Sequence, residues 1–420
     1  VLSFDMGGTT AKICLIKNRT PKTARVFEVA RTYRFKKGSG MPISIPVIDM
    51  VEIGAGGGSL AHVDVMNQIR VGPESAGSEP GPACYGRGGQ RPAVTDADLV
   101  LGKLDPDNFA GGSIPLDAGA SATALQMHLG DALSMDTLEA AWGLAEVVDE
   151  NMANAARVHA VENGENLSQY TMIAFGGAAP LHAARLCEKL GIDRCLVPVG
   201  AGVGSAIGFL RAPFSFEANR SVFMKISRFD ANLVKRLFAD MEVEAKGFVR
   251  SCDDTADIKC EHKVYMRYSG QGWEIPISLP SDLATEPDAA GFLKLFETDY
   301  EKLFGRSVEG MEAEITVWSV NAFTPPPTVS PVAGASPGAH AKSQGVRQLF
   351  DTGLGKQTSA AIIERADLVT GATVSGPAVI TEDETTIVLP ASRALIAQPD
   401  GCLDIRVKAP ADQQSTQGES

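Results

Sequence analysis

Val1-Leu2-Ser3-Phe4-Asp5-Met6-Gly7-Gly8-Thr9-Thr10 opens the chain as a short apolar run that breaks on paired glycines, and Ile13-Cys14-Leu15-Ile16 follows at once. Two apolar runs joined by a glycine turn read as a β-hairpin. Gly7 and Gly8 lack β-carbons, so backbone N–H groups there can approach a phosphate, and the Thr9 and Thr10 hydroxyls can donate to it. Asp5 can hold Mg2+ directly or through water. A tight glycine turn with no ligand would use the same letters.

Working outward, residues 1–73 read as mostly β, through the glycine-rich stretch 53–59 and the alternating run 60–65. From Val94 the period changes. Thr95-Asp96-Ala97-Asp98 has the character of a capped helix start, and the Ala-rich segment 135–162 has helical spacing. Residues 170–175 then form an apolar strand, Gly176-Gly177 interrupts it, 178–190 continue as a helix and 194–199 return as a strand. This is a βαβ unit. Within Ile173-Ala174-Phe175-Gly176-Gly177-Ala178-Ala179 the small residues let a base or ribose lie against backbone near the positive end of the helix. Close strand-to-helix packing would need the same residues. Gly200-Ala201-Gly202-Val203-Gly204-Ser205-Ala206-Ile207-Gly208 suits either a hinge between lobes or a close contact between helices.

At 420 residues the chain is long enough for two to three domains. A boundary is expected near 212, closing an α/β domain over 1–212. Residues 213–325 read as an α+β region with helices at 231–250 and 290–304 and strands at 259–268 and 273–279. Thr324-Pro325-Pro326-Pro327 opens a Pro/Gly-rich connector to about 345, within a β-rich C-terminal region expected over 326–408. The polar end, 409–420, reads as a disordered tail.

Hydrophobic residues make up 44% and charged residues 21%, which describes a folded globular chain. With 51 acidic against 38 basic residues the formal charge is −13, which opposes a nucleic-acid or anionic-membrane partner, since phosphate backbones demand clustered Lys and Arg. No apolar run reaches the roughly 20 residues that span a bilayer. Seven scattered cysteines show neither zinc-type nor disulfide-type spacing, as expected of reduced thiols in a cytoplasm.

Other residues are candidates on local grounds. Asp49 and Glu52 flank the entry to the 54–59 loop, where carboxylates could position water, substrate or metal in catalysis; solvation of a loop is the competing reading. Gly56, Gly57 and Gly58 offer a backbone surface to a ligand, or simply a multi-glycine turn. Glu74, Ser75, Glu79 and Cys84 lie in a Pro/Gly-rich loop that could border substrate, with Cys84 read as a buried or loop thiol. His182 falls in the first turns of the 178–190 helix and reads as a surface residue of it. Arg267, Tyr268, Gln271 and Trp273 fit a strand and a glycine turn, with partner contact as the alternative.

In their order, the three glycine motifs resemble the second phosphate loop, the adenosine motif and the second connecting helix of the acetate and sugar kinase, Hsp70 and actin superfamily. More specifically, several segments resemble the hydantoinase A and 5-oxoprolinase family. They are residues 1–16, Val47-Ile48-Asp49-Met50-Val51-Glu52-Ile53-Gly54-Ala55-Gly56-Gly57-Gly58-Ser59, Val71-Gly72-Pro73-Glu74-Ser75-Ala76-Gly77-Ser78-Glu79-Pro80-Gly81-Pro82-Ala83-Cys84-Tyr85-Gly86 and 174–186. The likeness continues through Met266-Arg267-Tyr268-Ser269-Gly270-Gln271-Gly272-Trp273-Glu274 and Gly376-Pro377-Ala378-Val379-Ile380. It implies an α/β fold of ribonuclease H-like, actin-like type with a mixed sheet, followed by a smaller α+β domain. It also implies ATP and Mg2+ as cofactors, with phosphates on Gly7, Gly8, Thr9 and Thr10, adenosine on Gly176, Gly177 and Ala178, and Asp5 as metal ligand. The implied function is a subunit that couples ATP hydrolysis to opening of a cyclic amide such as hydantoin, N-methylhydantoin or 5-oxoproline, in a hetero-oligomer with a B-type subunit. ATP-dependent ketone carboxylation, a nucleotide-responsive assembly subunit and a small-metabolite kinase are the alternatives. The family often carries an Asp where this chain has Lys12. It also carries a further Asp-Gly-Gly-Thr loop in a preceding domain, so the sequence is expected to lack an N-terminal domain and one wall of the nucleotide site.

Overall fold

A computed structural model of the chain describes residues 1–30, 32, 39–308, 310–326 and 330–408, and the tail expected at 409–420 lies outside them. Alternation sets the central sheet: Leu2, Phe4 and Met6 are fully buried, while Ser3 and Asp5 point to the opposite face. The strand Leu2–Met6 pairs antiparallel with Ala11–Lys17, placing Asp5 opposite Lys12, as the hairpin reading requires. On its other side Thr171–Phe175 runs parallel to it, with Asp5 opposite Phe175, and Arg194–Val197 runs parallel to Thr171–Phe175. The sheet is therefore mixed and has nine strands.

Two helices cover this sheet for legible reasons. Asp136 caps Thr137–Glu162 by accepting from the Glu139 N–H (2.8 Å), and the Glu139 carboxylate accepts from the Asp136 N–H in return (3.0 Å). The buried stripe of that helix runs through Ala140, Ala141, Leu144, Ala145, Val148, Met152 and Ala156, whose small side chains allow close approach to neighbouring elements. Ala179–Leu190 starts with Pro180 in its first turn and stops at Gly191, whose φ of 67° lies in the left-handed region.

Among the described residues the chain divides into two compact units, 1–207 with 331–408, and 208–330. The sequence reading set 326–408 apart as its own region; the structure instead folds 331–408 into the first unit. Leu403–Val407 pairs antiparallel with Arg194–Val197, and Arg393–Ala397 and Thr373–Ser375 extend the same sheet. Four further strands, Gly345–Asp351, Lys356–Glu364, Ala378–Thr381 and Thr386–Leu389, form a smaller sheet in the same unit. The join is also ionic: Arg194 donates from Nε and Nη2 to the two oxygens of Asp404, at 2.8 and 2.9 Å. Pairing across some 200 residues leaves no local trace in the sequence, so the Pro/Gly-rich connector looked like a boundary.

The second unit has its own core. Its sheet runs Ser215–Arg220, Ala313–Phe323, Lys259–Tyr268, Ile275–Leu279, with Met224–Lys225 also on the long central strand. The helices Ala231–Cys252 and Ala289–Phe304 contribute Phe238, Phe292 and Phe296 to a core built around the fully buried Trp318. Tyr268 is buried there, and Gln271 donates to the Tyr300 hydroxyl (2.8 Å), which gives both residues structural roles. Arg267 pairs with Glu314 at 2.7 Å, and Trp273 is 77% exposed.

Candidate functional site

Parallel pairing brings the glycine motifs together. Leu2–Met6, Thr171–Phe175 and Arg194–Val197 are adjacent and point the same way, so the turns that follow them, at Gly7-Gly8, Gly176-Gly177 and Gly200-Ala201-Gly202, emerge at one end of the sheet. The carboxyl end of such strands is where open α/β sheets bind ligands.

The turns are tied to each other by backbone. Gly176 has φ +100°, and a β-carbon there would lie 2.5 Å from both Asp5 Oδ1 and the Met6 carbonyl oxygen. Only glycine fits. Ala178 N–H donates to the Met6 carbonyl (2.9 Å) and Gly176 N–H to that of Ala201 (2.7 Å). Ser205 donates its hydroxyl to Asp5 Oδ2 at 3.0 Å, so the Asp5 carboxylate sits between the three turns, behind the cleft surface.

The 56–58 glycines brace the first turn. Gly57 N–H donates to the Gly7 carbonyl (3.0 Å) and Gly58 N–H to that of Gly8 (2.6 Å). A β-carbon on Gly56 would fall 2.6 Å from the Thr9 nitrogen. Thr95, at the start of the helix Val94–Val100, holds the Gly57 carbonyl through both its N–H and its hydroxyl, each at 2.8 Å. By contrast, no atom lies within 4 Å of the positions β-carbons would take on Gly7 and Gly8. Those two glycines face open space.

That space is a cleft of about 900 Å³ within the first unit. One wall is Gly7, Gly8, Thr9, Gly57, Gly58, Gly177 and Ala178; the other is apolar, with Tyr85, Leu104, Phe109, Ile114 and Leu181. Asp5, Thr10, Gly56 and Gly176 are not among the lining residues. The loop Glu382-Asp383-Glu384-Thr385-Thr386 closes a third side, anchored where Thr385 donates its hydroxyl to the Gly177 carbonyl (2.9 Å).

Two expected catalytic carboxylates are displaced from the cleft. Glu52 is exposed and lies 3.9 Å from Lys12, opposite it in the sheet, and Asp49 sits 3.7 Å from Lys22 at the far end of the strand Met50–Ile53. Neither is among the residues lining the cleft. Lys12 is engaged by Glu52 on that same surface. Cys84 is fully buried beside Asp96, and burial first, then Asp96, pushes its thiol far above the ordinary range. Such burial is that of a packed thiol, as the sequence reading expects. Ser75 supports the Gly58 turn, its hydroxyl 3.0 Å from where a β-carbon would stand, and Glu74 pairs with Arg91 at 2.8 Å. His182, expected on a helix surface, is fully buried.

The acidic loop 382–386, the apolar wall and Asp98 were not legible as site residues. They come from remote segments; the family-like stretches 71–86 and 174–186 contain Tyr85 and Leu181, and 376–380 precedes the acidic loop. Charged residues lining the cleft are Asp98, Asp105, Glu382, Asp383 and Glu384 against Arg87. Asp105 pairs with Arg347, and Glu382 with Arg365 at 3.2 Å. Burial holds the Glu382 carboxyl above its ordinary range, with Arg365 opposing and Glu384 adding to it. A polyanion entering this lining requires a divalent cation to offset like charge. Among the described residues no group of three or more His, Cys, Asp or Glu is placed to hold a metal ion. Asp5, whose carboxylate accepts from the Ser205 hydroxyl, is not among the residues lining the cleft.

Fold and site define an α/β protein with glycine turns at the ends of adjacent parallel strands walling one cleft. The chain belongs to the hydantoinase/oxoprolinase family: the hydantoinase/oxoprolinase model matches residues 1–218 and the hydantoinase/oxoprolinase C-terminal domain model matches 228–398. An uncharacterized protein of Methanocaldococcus jannaschii is 34% identical over 96% of this chain, which spans 58% of that relative's length. A crystal structure of ATP-dependent caprolactamase from Pseudomonas jessenii matches 97% of the chain at 27% identity and TM-score 0.76, with 59% of that structure covered. A nucleotide-free structure of acetone carboxylase, titled for ATP-dependent acetone carboxylation, matches 97% at 25% identity and TM-score 0.75, with 58% covered.

Proposed function

We propose that the chain is the nucleotide-binding part of a subunit that couples ATP hydrolysis to the opening of a cyclic amide, and that its first unit is one half of an actin-like fold. The observation that carries this reading is the parallel register that sets Gly7-Gly8 beside Gly176-Gly177 at one end of adjacent strands. In this proposal Gly7, Gly8 and Thr9, with Thr10 behind them, receive phosphates, and Gly177 and Ala178, set by Gly176, receive the adenosine. Gly57 and Gly58 hold the phosphate turn in shape, and Asp5 is the residue that would hold Mg2+, directly or through water.

ATP, when bound, supplies a phosphoryl group that turns an unreactive amide oxygen into a leaving group. The chain's own residues orient the phosphates, exclude bulk water with the 382–386 loop, and present the apolar wall to the carbon skeleton of a small substrate. Membership of the hydantoinase/oxoprolinase family and likeness to a caprolactamase support a cyclic amide. The acetone carboxylase likeness supports a second reading, ATP-dependent carboxylation of a ketone. A B-type partner subunit in a hetero-oligomer and a cytoplasmic setting belong to the same proposal. Among the described residues no helix is long and apolar enough to cross a membrane.

The test is phosphate release from Mg-ATP by the full chain, with and without a co-expressed B-type subunit, across hydantoin, 5-oxoproline, caprolactam and acetone with bicarbonate. Release stimulated by a lactam or hydantoin supports the proposal. Stimulation by acetone and bicarbonate alone transfers it to the second reading, and no stimulation by any of the four overturns both.

A further inference from the structure

Beneath the cleft lies a cluster of charge that the proposed chemistry does not use. His182, on Ala179–Leu190, places Nδ1 2.8 Å from Asp149 Oδ1 and Nε2 3.2 Å from Asp98 Oδ2. Lys103 donates its ammonium to the other Asp98 oxygen at 2.7 Å. His182 and Asp149 are 0% exposed, Asp98 2% and Lys103 3%. Both ring nitrogens face carboxylates, and two carboxylates balance one imidazolium and one ammonium, so the arrangement is neutral when His182 is protonated. Isolated charges at such depth would be prohibitively costly; a paired set that is neutral overall is tolerated, with Asp149 Oδ2 alone in the set left buried without a hydrogen-bond partner.

Its connections suggest a use. Asp98 lies on Val94–Val100, whose first turn carries Thr95, the residue that grips Gly57 and through it the Gly7-Gly8 turn. His182 lies on the helix that begins at the Gly176-Gly177 turn. Asp149, on Thr137–Glu162, fixes the imidazole from a third element. Asp98 also lines the cleft. We infer that the Asp98–His182 pair is a positioning device that locks the two glycine turns of the cleft to each other, with Asp149 and Lys103 keeping it charged and neutral overall.

Asp98 is not a general base in this scheme. Although burial alone would raise it, Lys103 and His182 hold its carboxyl down to about 2. His182 is likewise held protonated: burial pulls it down, but Asp98 and Asp149 outweigh both that and Lys103 and raise it to about 9. The charged groups facing the imidazole are these three, and Glu146 acts on Lys103. Replacing Asp98 by Asn leaves one amide oxygen for two donors and lets His182 lose its proton within the accessible pH range.

The inference rests on the cleft being the ligand site, and two measurements separate its fate from that reading. The first is hydrogen–deuterium exchange of the unliganded full chain, wild type against Asp98→Asn, with His182→Gln as the second variant should the first fail to fold. Faster exchange in both 7–10 and 176–178 is expected. Faster exchange confined to 98–103 and the 182 region overturns the inference, whether or not nucleotide binds. The second is calorimetric titration with Mg-ATP between pH 6.5 and 9. Wild-type affinity is expected to hold to about pH 8, whereas Asp98→Asn weakens by at least about tenfold as pH rises through that interval. An Asp98→Asn affinity equal to wild type at every pH overturns the inference. Absence of any wild-type binding removes the nucleotide assignment and leaves the exchange result to decide the coupling.

Discussion

Gly176 and Gly177 are neighbours with opposite tolerances. At Gly176 a methyl group would meet Asp5 Oδ1 and the Met6 carbonyl at 2.5 Å with φ at +100°, whereas at Gly177 the nearest atom, the Glu384 carbonyl oxygen, is at an ordinary 3.6 Å. Gly176→Ala is therefore expected to cost about 1–3 kcal/mol of stability from the backbone conformation alone, measured by denaturant unfolding. Gly177→Leu is expected to leave stability within about 1 kcal/mol and to fill the cleft instead. His182 gives a pH prediction. Its folded pKa of about 9 lies above the ordinary 6.5, so folding favours its proton: the contribution is full below about 6.5 and is lost as pH rises toward about 9. Thermal unfolding across that window should show a wild-type decline that His182→Gln flattens; an identical slope in both would contradict the buried imidazolium. At this scale the glycines were legible because their lack of a side chain is itself the signal. His182 was not, since its partners Asp98 and Asp149 are distant in sequence and helical position alone suggested a surface.

At the scale of elements, the informative feature is a strand order that no local pattern reveals. The hairpin, the βαβ unit and the long Ala-rich helix were readable because each depends on periodicity and caps within a few residues, such as Asp136 with Glu139. The pairing of Leu403–Val407 with Arg194–Val197 was not, and neither was the placement of Asp49 and Glu52 outside the cleft. Alternation tells which face a residue takes, not which strand is its neighbour. Asp404 tests the C-terminal join. Its carboxylate is almost fully buried, and although burial opposes it, Arg194 and Arg406 hold it below the ordinary range. Asp404→Ala removes the shared acceptor of both guanidiniums, which remain open to water. A loss of about 1–3 kcal/mol in urea unfolding is expected. No loss would mean that the C-terminal strands contribute little to the first unit.

Across the whole molecule, two cores predict two responses. Trp318 is fully buried in the second unit, and Trp318→Ala removes packing worth about 3–5 kcal/mol. Scanning calorimetry is expected to resolve two transitions, of which only one moves in this variant; a single transition displaced as a whole would contradict independent cores. The expected boundary near 212 rests on the end of a helix at Arg211-Ala212-Pro213; the structure divides at 207 and 208. The return of the chain to the first unit after 330 was not readable, because only the tertiary fold brings it there.

The most direct measurement is calorimetric titration with ATP, with and without Mg2+, of the chain joined to the preceding domain expected from the family, for wild type and Gly177→Leu. The account predicts Mg2+-dependent binding by wild type, and loss of that binding in a variant whose two unfolding transitions are unchanged. Equal binding by the well-folded variant would contradict the assignment of the glycine-walled cleft as the nucleotide site.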